Sequence, residues 1–279
     1  MLLIVGCKGQ LGTELGLILE EEFLEVDLDN LDITNEELVK EFFETNKIDL
    51  VINCAAYTNV EKAETETEQA NLVNVKGVAN LAKYGKNIIH ISTDYVFDGS
   101  KCTPYVETDK TNPLSAYGKS KLLGEEAVLK EAQKAVILRT CWLYSPYGHN
   151  FVKTMLKHGQ HNDELKVVFD QIGTPTYAKD LAMVICEIIS SDIFETCDNL
   201  KEIYHFSDEG VCSWYDFAKA IMEESNTNCK IIPIESKDFP SQVNRPSYSV
   251  LNKRKIKEAF NLEIPYWRDS LRTCMGYLR

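Results

Sequence analysis

The sequence has no apolar run long enough to cross a membrane, and its first residues, MLLIVGCKGQ, contain neither a basic region nor a small-residue cleavage site. These absences argue against a transmembrane segment and a signal peptide. Positive charge is scarce, because 30 Lys and Arg residues stand against 43 Asp and Glu residues and give a net charge of −13. We therefore expect no nucleic-acid and no membrane partner, although an anionic ligand needs only a local positive pocket.

The sequence also lacks paired cysteines and clustered metal ligands. Its nine cysteines are scattered, and no two of them form a CxxC pair. An odd and dispersed set of cysteines predicts free thiols in a reducing, cytoplasmic location. His158 and His161 have no Cys or carboxylate cluster beside them in a metal-binding spacing, so we predict no metal site.

What is present is an alternation of apolar runs and amphipathic stretches. Strands are predicted at 2–5, 23–28, 49–56, 87–93 and 135–144, and helices at 11–22, 35–46, 67–84 and from 117 onward. Continuous apolar runs are typical of strands buried on both faces, and the βαβα order implies a parallel sheet covered by helices. The predicted fold class is therefore α/β, a Rossmann-type doubly wound parallel sheet.

Gly6, Gly9 and Gly12 follow the first strand in a GxxGxxG spacing and open the first helix. This arrangement predicts a tight turn that brings backbone amides and a helix N-terminus close to the pyrophosphate of a dinucleotide. The glycine triplet alone is a weak signal, and three structural glycines in a βα turn are the alternative. Its place between a strand and a helix favours an NAD(P) site.

The choice between NADH and NADPH stays open on the sequence. Asp27 ends the second strand, where a carboxylate accepts hydrogen bonds from the ribose hydroxyls of NADH and repels a 2′-phosphate. Lys8, inside the glycine loop, would instead pair with the 2′-phosphate of NADPH. Asp32 could either reach the adenine amino group or cap the next helix.

After residue 145 the alternation loosens. Further helices are predicted at 149–160, 177–189 and 213–224, and further strands at 165–171, 202–207 and 229–236. We expect residues 1–145, joined by 177–206, to form the NAD(P)-binding domain. Residues 146–176 and 207–279 are expected to form a smaller substrate-binding lobe over the carboxyl edge of the sheet.

Tyr117 and Lys121 lie one helical turn apart in the stretch AYGKSK. Such a pair is common on a solvated helix surface. The other interpretation is a tyrosine tuned to exchange a proton. Because a YxxxK spacing arises by chance in many helices, the remaining motifs have to decide between the two.

A set of further motifs favours the proton-exchanging tyrosine. In chain order, these motifs are NCAAYTNVEKAE (53–64), STDYVFDG (92–99), YGKSKLLGE (117–125), RTCWLYSPYGHNFVKTML (139–156), VVFDQIGTPT (167–176), WYDFAKAI (214–221) and NRPSYSVL (244–251). With the glycine loop, this set resembles the extended short-chain dehydrogenase/reductase family over nearly the whole chain. It is most similar to the members that act on dTDP-linked 4-keto sugars. The resemblance implies NAD(P)H-dependent reduction of the C4 ketone of dTDP-4-dehydro-L-rhamnose to dTDP-L-rhamnose, for polysaccharide synthesis, by a monomer or homodimer.

The resemblance also implies roles for the matching positions. Thr93, Tyr117 and Lys121 would form the catalytic set, and Asp94 and Trp142 would contact the sugar. A turn cap for Asp94 and core packing for Trp142 are the plainer alternatives. Cofactor contacts are expected from Gly9, Gln10, Leu11, Asp27, Asp32, Ile33, Ala55, Ala56, Tyr57 and Thr58.

The chemistry follows from these residues. An unperturbed tyrosine has a pKa of about 10. We expect Lys121 and the charge of the oxidised nicotinamide to lower it, so that Tyr117 donates a proton to the alkoxide formed from the ketone. Thr93 would hydrogen-bond the same oxygen, and Lys121 would also anchor the nicotinamide ribose. Arg245 is the candidate for pairing with the substrate diphosphate, with an ordinary surface arginine as the alternative.

Two other functions remain open. The first is an epimerase or dehydratase of another nucleotide sugar, but a dehydratase usually carries an Asp-Glu pair where Thr93 is followed by Asp-Tyr. The second is a non-catalytic regulatory subunit that binds the cofactor, since fold alone does not specify function. The intact set of Thr93, Tyr117 and Lys121 weighs against it.

Overall fold

A computed structural model of the protein describes residues 1–241 and 243–278, and its elements follow the predicted alternation. The strands are β1 (Leu2–Val5), β2 (Phe23–Val26), β3 (Leu50–Asn53), β4 (Asn87–Thr93), β5 (Lys134–Thr140), β6 (Leu143–Tyr144), β7 (Glu164–Val168), β8 (Ile172–Gly173), β9 (Thr176–Tyr177), β10 (Lys201–His205), β11 (Cys212–Ser213) and β12 (Lys230–Ile234). The helices are α1 (Gln10–Ile18), α2 (Glu36–Thr45), α3 (Val60–Ala63), α4 (Thr67–Asn71), α5 (Val78–Gly85), α6 (Ala116–Glu131), α7 (Phe151–Gly159), α8 (Ala178–Ile189), α9 (Asp192–Thr196), α10 (Trp214–Ser225), α11 (Arg254–Phe260) and α12 (Trp267–Gly276).

Six parallel strands form the central sheet in the order β10-β5-β4-β3-β1-β2. The chain runs outward from β1 to β2 and then restarts on the other side of β1 with β3. Ligands of such sheets bind at the carboxyl ends of the strands where this reversal occurs. The predicted α/β doubly wound fold is confirmed, and the reversal places the glycine loop after β1 beside the segment after β3.

Both faces of the sheet are buried under helices. On one face, α1 and α8 contribute Leu15, Leu181 and Ile185 to an apolar cluster. On the other face, α2 and α5 contribute Val39 and Leu81. β1 is entirely apolar, as suits a strand covered on both sides, whereas β4 and β5 also bury polar residues such as His90 and Arg139.

Beyond the central sheet, α7, α10 and α12 enclose a separate apolar cluster that contains Phe217, Ile221, Trp267 and Leu271. Three two-stranded sheets lie in this part of the chain, namely β7 with β12, β8 with β11 and β6 with β9. β10, by contrast, pairs with β5 in the central sheet. The division of the chain into a cofactor domain and a substrate lobe stays a prediction.

Some element boundaries differ from those predicted. The predicted strand 135–144 stops at Thr140, because Trp142 adopts a left-handed backbone with φ of 48° and interrupts it before β6. The predicted helix 67–84 contains a π-helical turn at Leu72–Gly77 between α4 and α5. Both irregularities lie close to predicted site residues.

Candidate active site

The glycine loop packs tightly against the segment after β3. Gly6 has a φ of 80°, and a Cβ added there would lie 2.7 Å from the backbone nitrogen of Ala55. A Cβ on Gly12 would collide with the backbone of Gly6 and Cys7. The start of α1 at Gln10 has no side-chain cap within the described chain. A glycine cradle at an uncapped helix N-terminus fits the pyrophosphate of a dinucleotide.

Gln10 and Leu11 leave this loop in different directions. Gln10 Oε1 accepts a hydrogen bond of 2.8 Å from Asn150 Nδ2, and Asn150 caps the start of α7. The glycine loop is therefore tied to the C-terminal part of the chain. Leu11 is buried in the core, so only its backbone lies at the loop.

The acidic residues that follow β2 form hydrogen bonds or ion pairs with neighbouring residues. Asp27 Oδ2 accepts a hydrogen bond of 3.0 Å from the Lys8 backbone N–H, so this carboxylate lies against the glycine loop. The Lys8 ammonium pairs with Asp29 at 2.7 Å. Asp32 Oδ1 accepts hydrogen bonds from the Thr34 backbone N–H and hydroxyl. Asn35 caps α2, so Asp32 lies in the approach to this helix and does not cap it. Ile33 is buried in the core.

The segment Ala55, Ala56, Tyr57 and Thr58 lies after β3 at the carboxyl edge of the sheet. Asn74, in the π-helical turn, accepts a hydrogen bond of 2.8 Å from the Tyr57 N–H and donates one of 3.1 Å to the Tyr57 carbonyl. Its Nδ2 also donates to the Ser120 hydroxyl at 2.9 Å. Asn74 thereby joins the segment after β3 to α6, the helix of Tyr117 and Lys121.

Helix α6 brings Tyr117 to Thr93. Ser115 caps α6 by accepting a hydrogen bond of 3.0 Å from the Gly118 N–H. A Cβ on Gly118 would collide with the Tyr95 carbonyl oxygen, so glycine allows the first turn of α6 to lie against the turn after β4. The structure thus brings Tyr117, in the first turn of α6, close enough to Thr93, at the end of β4, for Thr93 to affect its pKa. The Thr93 hydroxyl itself donates a hydrogen bond of 3.1 Å to Asp94 Oδ1.

Lys121 is buried and faces the sheet. Its Nζ donates a hydrogen bond of 2.6 Å to the Ile91 carbonyl and lies 3.4 Å from His90 Nε2. His90 Nδ1 is 3.0 Å from Asn53 Nδ2, and Asn53 Oδ1 accepts a hydrogen bond from the Ala55 N–H. Sequence analysis missed His90 and Asn53. The available signal was a polar residue within or at the end of an apolar run, because buried polar groups need partners.

The electrostatics of Tyr117 differ from the sequence prediction. Burial raises the pKa of the Tyr117 phenol well above its ordinary value, a hydrogen bond with Thr93 lowers it, and the charges of Asp94 and Tyr95 raise it further. The expectation that Lys121 lowers this pKa is therefore wrong for the protein alone. Burial also lowers the pKa of Lys121 to about 8, so its ammonium is still mostly charged at neutral pH.

The predicted substrate residues surround this pair. Asp94 is buried after β4, and its Oδ2 has no hydrogen-bond partner among residues 1–241 and 243–278. Burial raises its pKa to about 6. Trp142 follows β5, whose Thr140 is in register with Thr93. Arg245 donates a hydrogen bond of 3.0 Å to the Tyr95 hydroxyl and pairs with Glu61 at 2.8 Å.

In the described part of the chain, no cluster of three or more His, Cys, Asp or Glu residues is suited to holding a metal ion. None of the described helices combines the length and apolar character needed to cross a membrane.

The chain combines a doubly wound sheet, a glycine loop at the strand reversal, a threonine at the end of β4, and a tyrosine and a lysine one turn apart on α6. This combination defines the short-chain dehydrogenase/reductase class. Comparison with known proteins narrows this class. The family model described as RmlD substrate binding domain matches residues 1–279, and the chain belongs to this family.

Relatives with assigned names match over nearly the full length. A dTDP-4-dehydrorhamnose reductase of Aggregatibacter actinomycetemcomitans is 43% identical and covers 99% of this chain and 98% of its own. The spore coat polysaccharide biosynthesis protein SpsK of Bacillus subtilis is 40% identical and covers 97% of this chain and 95% of its own.

Solved structures agree with the fold. The dTDP-4-dehydrorhamnose reductase of Clostridium acetobutylicum superimposes with a TM-score of 0.93 at 42% identity, covering 99% of both chains. That of Bacillus anthracis, solved in complex with NADP, has a TM-score of 0.93 at 36% identity and covers 99% of this chain and 98% of its own.

Proposed function

We propose that the protein is an NADPH-dependent oxidoreductase that reduces the C4 ketone of dTDP-4-dehydro-L-rhamnose to give dTDP-L-rhamnose, a precursor for polysaccharide synthesis. The observation that carries the proposal is the meeting of Thr93, Tyr117 and Lys121 at the carboxyl edge of the sheet, in a chain that matches the reductase family from end to end. Reductases of this name that are 35% to 43% identical support the substrate.

The residues at the strand reversal fit a dinucleotide. The amides of Gly9, Gln10 and Leu11 at the start of α1 would hold the pyrophosphate, and Asp27 would hold the adenosine ribose. When bound, the reduced cofactor supplies the hydride that the ketone carbon accepts. The relative solved with NADP supports NADPH as a cofactor. The preference over NADH depends on Asp27 and Lys8.

Tyr117 would act as the general acid. Its buried phenol keeps its proton at neutral pH, as its raised pKa requires, and donates that proton to the ketone oxygen as negative charge develops there. Thr93 would hold the same oxygen by a hydrogen bond. Lys121 would bind the nicotinamide ribose and orient it. The phenolate then regains a proton from solvent, so one ketone, one hydride and one proton yield one alcohol.

The substrate would lie between the sheet edge and the C-terminal part of the chain. Asp94 and Trp142 would contact the sugar, and Arg245 would pair with the diphosphate. We propose that residues 1–145 with 177–206 bind the cofactor and that 146–176 and 207–279 bind the nucleotide sugar. A cytoplasmic location and a monomer or homodimer remain predictions, supported by the free thiols of the sequence and by the family.

The experiment that tests the function follows the absorbance of the reduced nicotinamide. The purified protein is mixed with dTDP-4-keto-6-deoxyglucose and a 3,5-epimerase, once with NADPH and once with NADH. Loss of absorbance that requires both the epimerase and the nucleotide sugar is the expected result. Cofactor binding without oxidation across a panel of 4-keto sugars would instead indicate a non-catalytic regulatory subunit.

A further inference from the structure

Trp142 has an unusual backbone conformation for a bulky residue. Its φ of 48° lies in the left-handed region, where large side chains are rarely found outside strained sites. Strain of this kind persists only where the surroundings impose it, and it is concentrated at functional sites.

The backbone on both sides of the Trp142 α-carbon is held by one residue of β9. Thr176 Oγ1 donates a hydrogen bond of 2.6 Å to the Cys141 carbonyl, and the Thr176 N–H donates one of 3.2 Å to the Trp142 carbonyl. Cys141 Sγ also lies 3.1 Å from the Thr174 carbonyl oxygen. Residues 174–176 thus impose the left-handed turn that ends β5.

The indole of Trp142 is held by two other residues. Its ring stacks on Trp214 with centroids 3.6 Å apart and 12° between the planes. A Cβ added to Gly173 would lie 2.7 Å from Cε2 and Cζ2 of Trp142. Gly173 has an ordinary φ, so glycine is needed there to make room for the indole and not for its backbone freedom.

This assembly lies next to the candidate sugar site. Because Thr93 and Thr140 are in register on neighbouring strands, the residues that follow them, Asp94 and Cys141, emerge side by side at the carboxyl edge. Trp142 comes next, packs against the apolar cluster that includes Val96 and Phe97, and remains partly exposed.

We infer that Gly173 and Trp214 are positioning residues that hold the Trp142 indole as one wall of the sugar site and thereby set the depth of the pocket for the hexose ring. Gly173 admits the indole, Trp214 supports it by stacking, and Thr176 fixes the backbone. An aromatic wall of this kind suits the apolar face of a sugar ring. The inference rests on the proposed function for the identity of the sugar, but not for the geometry.

The test begins with Gly173→Ala. The added methyl group should displace the indole, raise the KM for the nucleotide sugar by at least about tenfold and change kcat and the Kd of NADPH little, because one misplaced apolar contact in a pocket costs that much discrimination. Trp214→Phe keeps a planar ring and should raise KM less than Trp214→Ala. Trp267→Phe is the matched control, since Trp267 is buried in the same lobe but edge-on to Phe217, and KM should not change.

A double variant separates steric positioning from general damage. If Gly173 only makes room for the indole, Gly173→Ala should add little to the KM of a Trp142→Phe protein, whose smaller ring leaves space for the methyl group. Additive effects would mean that Gly173 acts independently of Trp142 and would overturn the inference, as would an unchanged KM in both Gly173→Ala and Trp214→Ala.

A spectroscopic measurement distinguishes failure of this inference from failure of the proposed function. Two tryptophans stacked at 3.6 Å give coupled circular-dichroism bands that do not depend on substrate. Gly173→Ala and Trp214→Phe should weaken these bands, whereas Trp267→Phe should leave them. If these two variants lose the bands but the wild-type protein is inactive on the dTDP sugar, the proposed substrate is rejected and the positioning role is kept. If Gly173→Ala leaves the bands unchanged, the positioning role is rejected whatever the activity.

Discussion

Arg245 donates a hydrogen bond of 3.0 Å to the hydroxyl of Tyr95, and Tyr95 in turn lies edge-on to Tyr117, with ring centroids 5.7 Å apart and 74° between the planes. The second guanidinium nitrogen of Arg245 pairs with Glu61. Arg245 is therefore separated from the candidate proton donor by a single side chain, and it is 26% exposed. This position favours a role in the substrate site over that of an ordinary surface arginine.

Arg245→Ala should raise the KM for the nucleotide sugar and leave the Kd of NADPH unchanged, because the substrate diphosphate loses the fixed positive charge with which it would pair. A hydrogen bond to a charged group is worth about 1.5–3 kcal/mol, so KM should rise roughly 10-fold to 100-fold. Arg245→Lys should recover part of this loss, since it keeps the charge but not the paired donors. Arg268→Ala, which removes a surface pair with Glu223, is the control. An unchanged KM in Arg245→Ala would return Arg245 to the ordinary surface.

Asp27→Ala should weaken NADH more than NADPH. The carboxylate lies against the glycine loop through its hydrogen bond with the Lys8 N–H, where it would accept the ribose hydroxyls of NADH and repel a 2′-phosphate. Lys8→Ala is the opposite control and should weaken NADPH alone. Fluorescence titration of the reduced cofactors measures both Kd values. Equal loss of both cofactors in Asp27→Ala would show that this carboxylate supports the loop and does not face the 2′ position.

The pH dependence of substrate binding should report Asp94. Burial raises its pKa from an ordinary 3.8 to about 6, so the carboxylate is lost as the pH falls below that value. If its Oδ2 accepts a hydroxyl of the sugar, the KM should rise as the pH drops from 7 through about 6. Asp94→Asn should remove this acid limb. The same shift makes ionised Asp94 unfavourable to the fold, so its contribution to stability is lost as the pH rises through about 6, and thermal unfolding of Asp94→Asn checks this sign.

The sequence predicted those features of the molecule that depend on local pattern. Strands such as β1 and β3 are short apolar runs, and helices such as α2, α5 and α8 have an apolar face, so the order of elements and the parallel sheet could be read directly. The glycine loop was equally local, since Gly6 and Gly12 make their close contacts at the one turn between β1 and α1.

Contacts between distant segments could not be predicted in this way. The surroundings of Lys121 join β3, β4 and α6 through Asn53 and His90, and no periodicity in the chain specifies that meeting. The left-handed backbone of Trp142 is imposed by Thr176 on another strand. The pKa of Tyr117 was misjudged for a related reason, because YxxxK reveals the nearby lysine but not the burial that outweighs it.

Tyr117→Phe tests the proton donor itself. Only a hydroxyl is lost, so the fold and the Kd of NADPH should be kept, whereas kcat should fall by roughly 10²–10⁴-fold, the usual cost of losing a general acid. Lys121→Ala should lower kcat and also weaken the cofactor, because this ammonium would hold the nicotinamide ribose. The double variant should lose less than the product of the two single effects, since both residues serve one step. Measured kcat and cofactor titrations decide the matter: near-normal turnover in Tyr117→Phe would leave the tyrosine and the lysine as structural neighbours on α6 and would move the proton donor elsewhere.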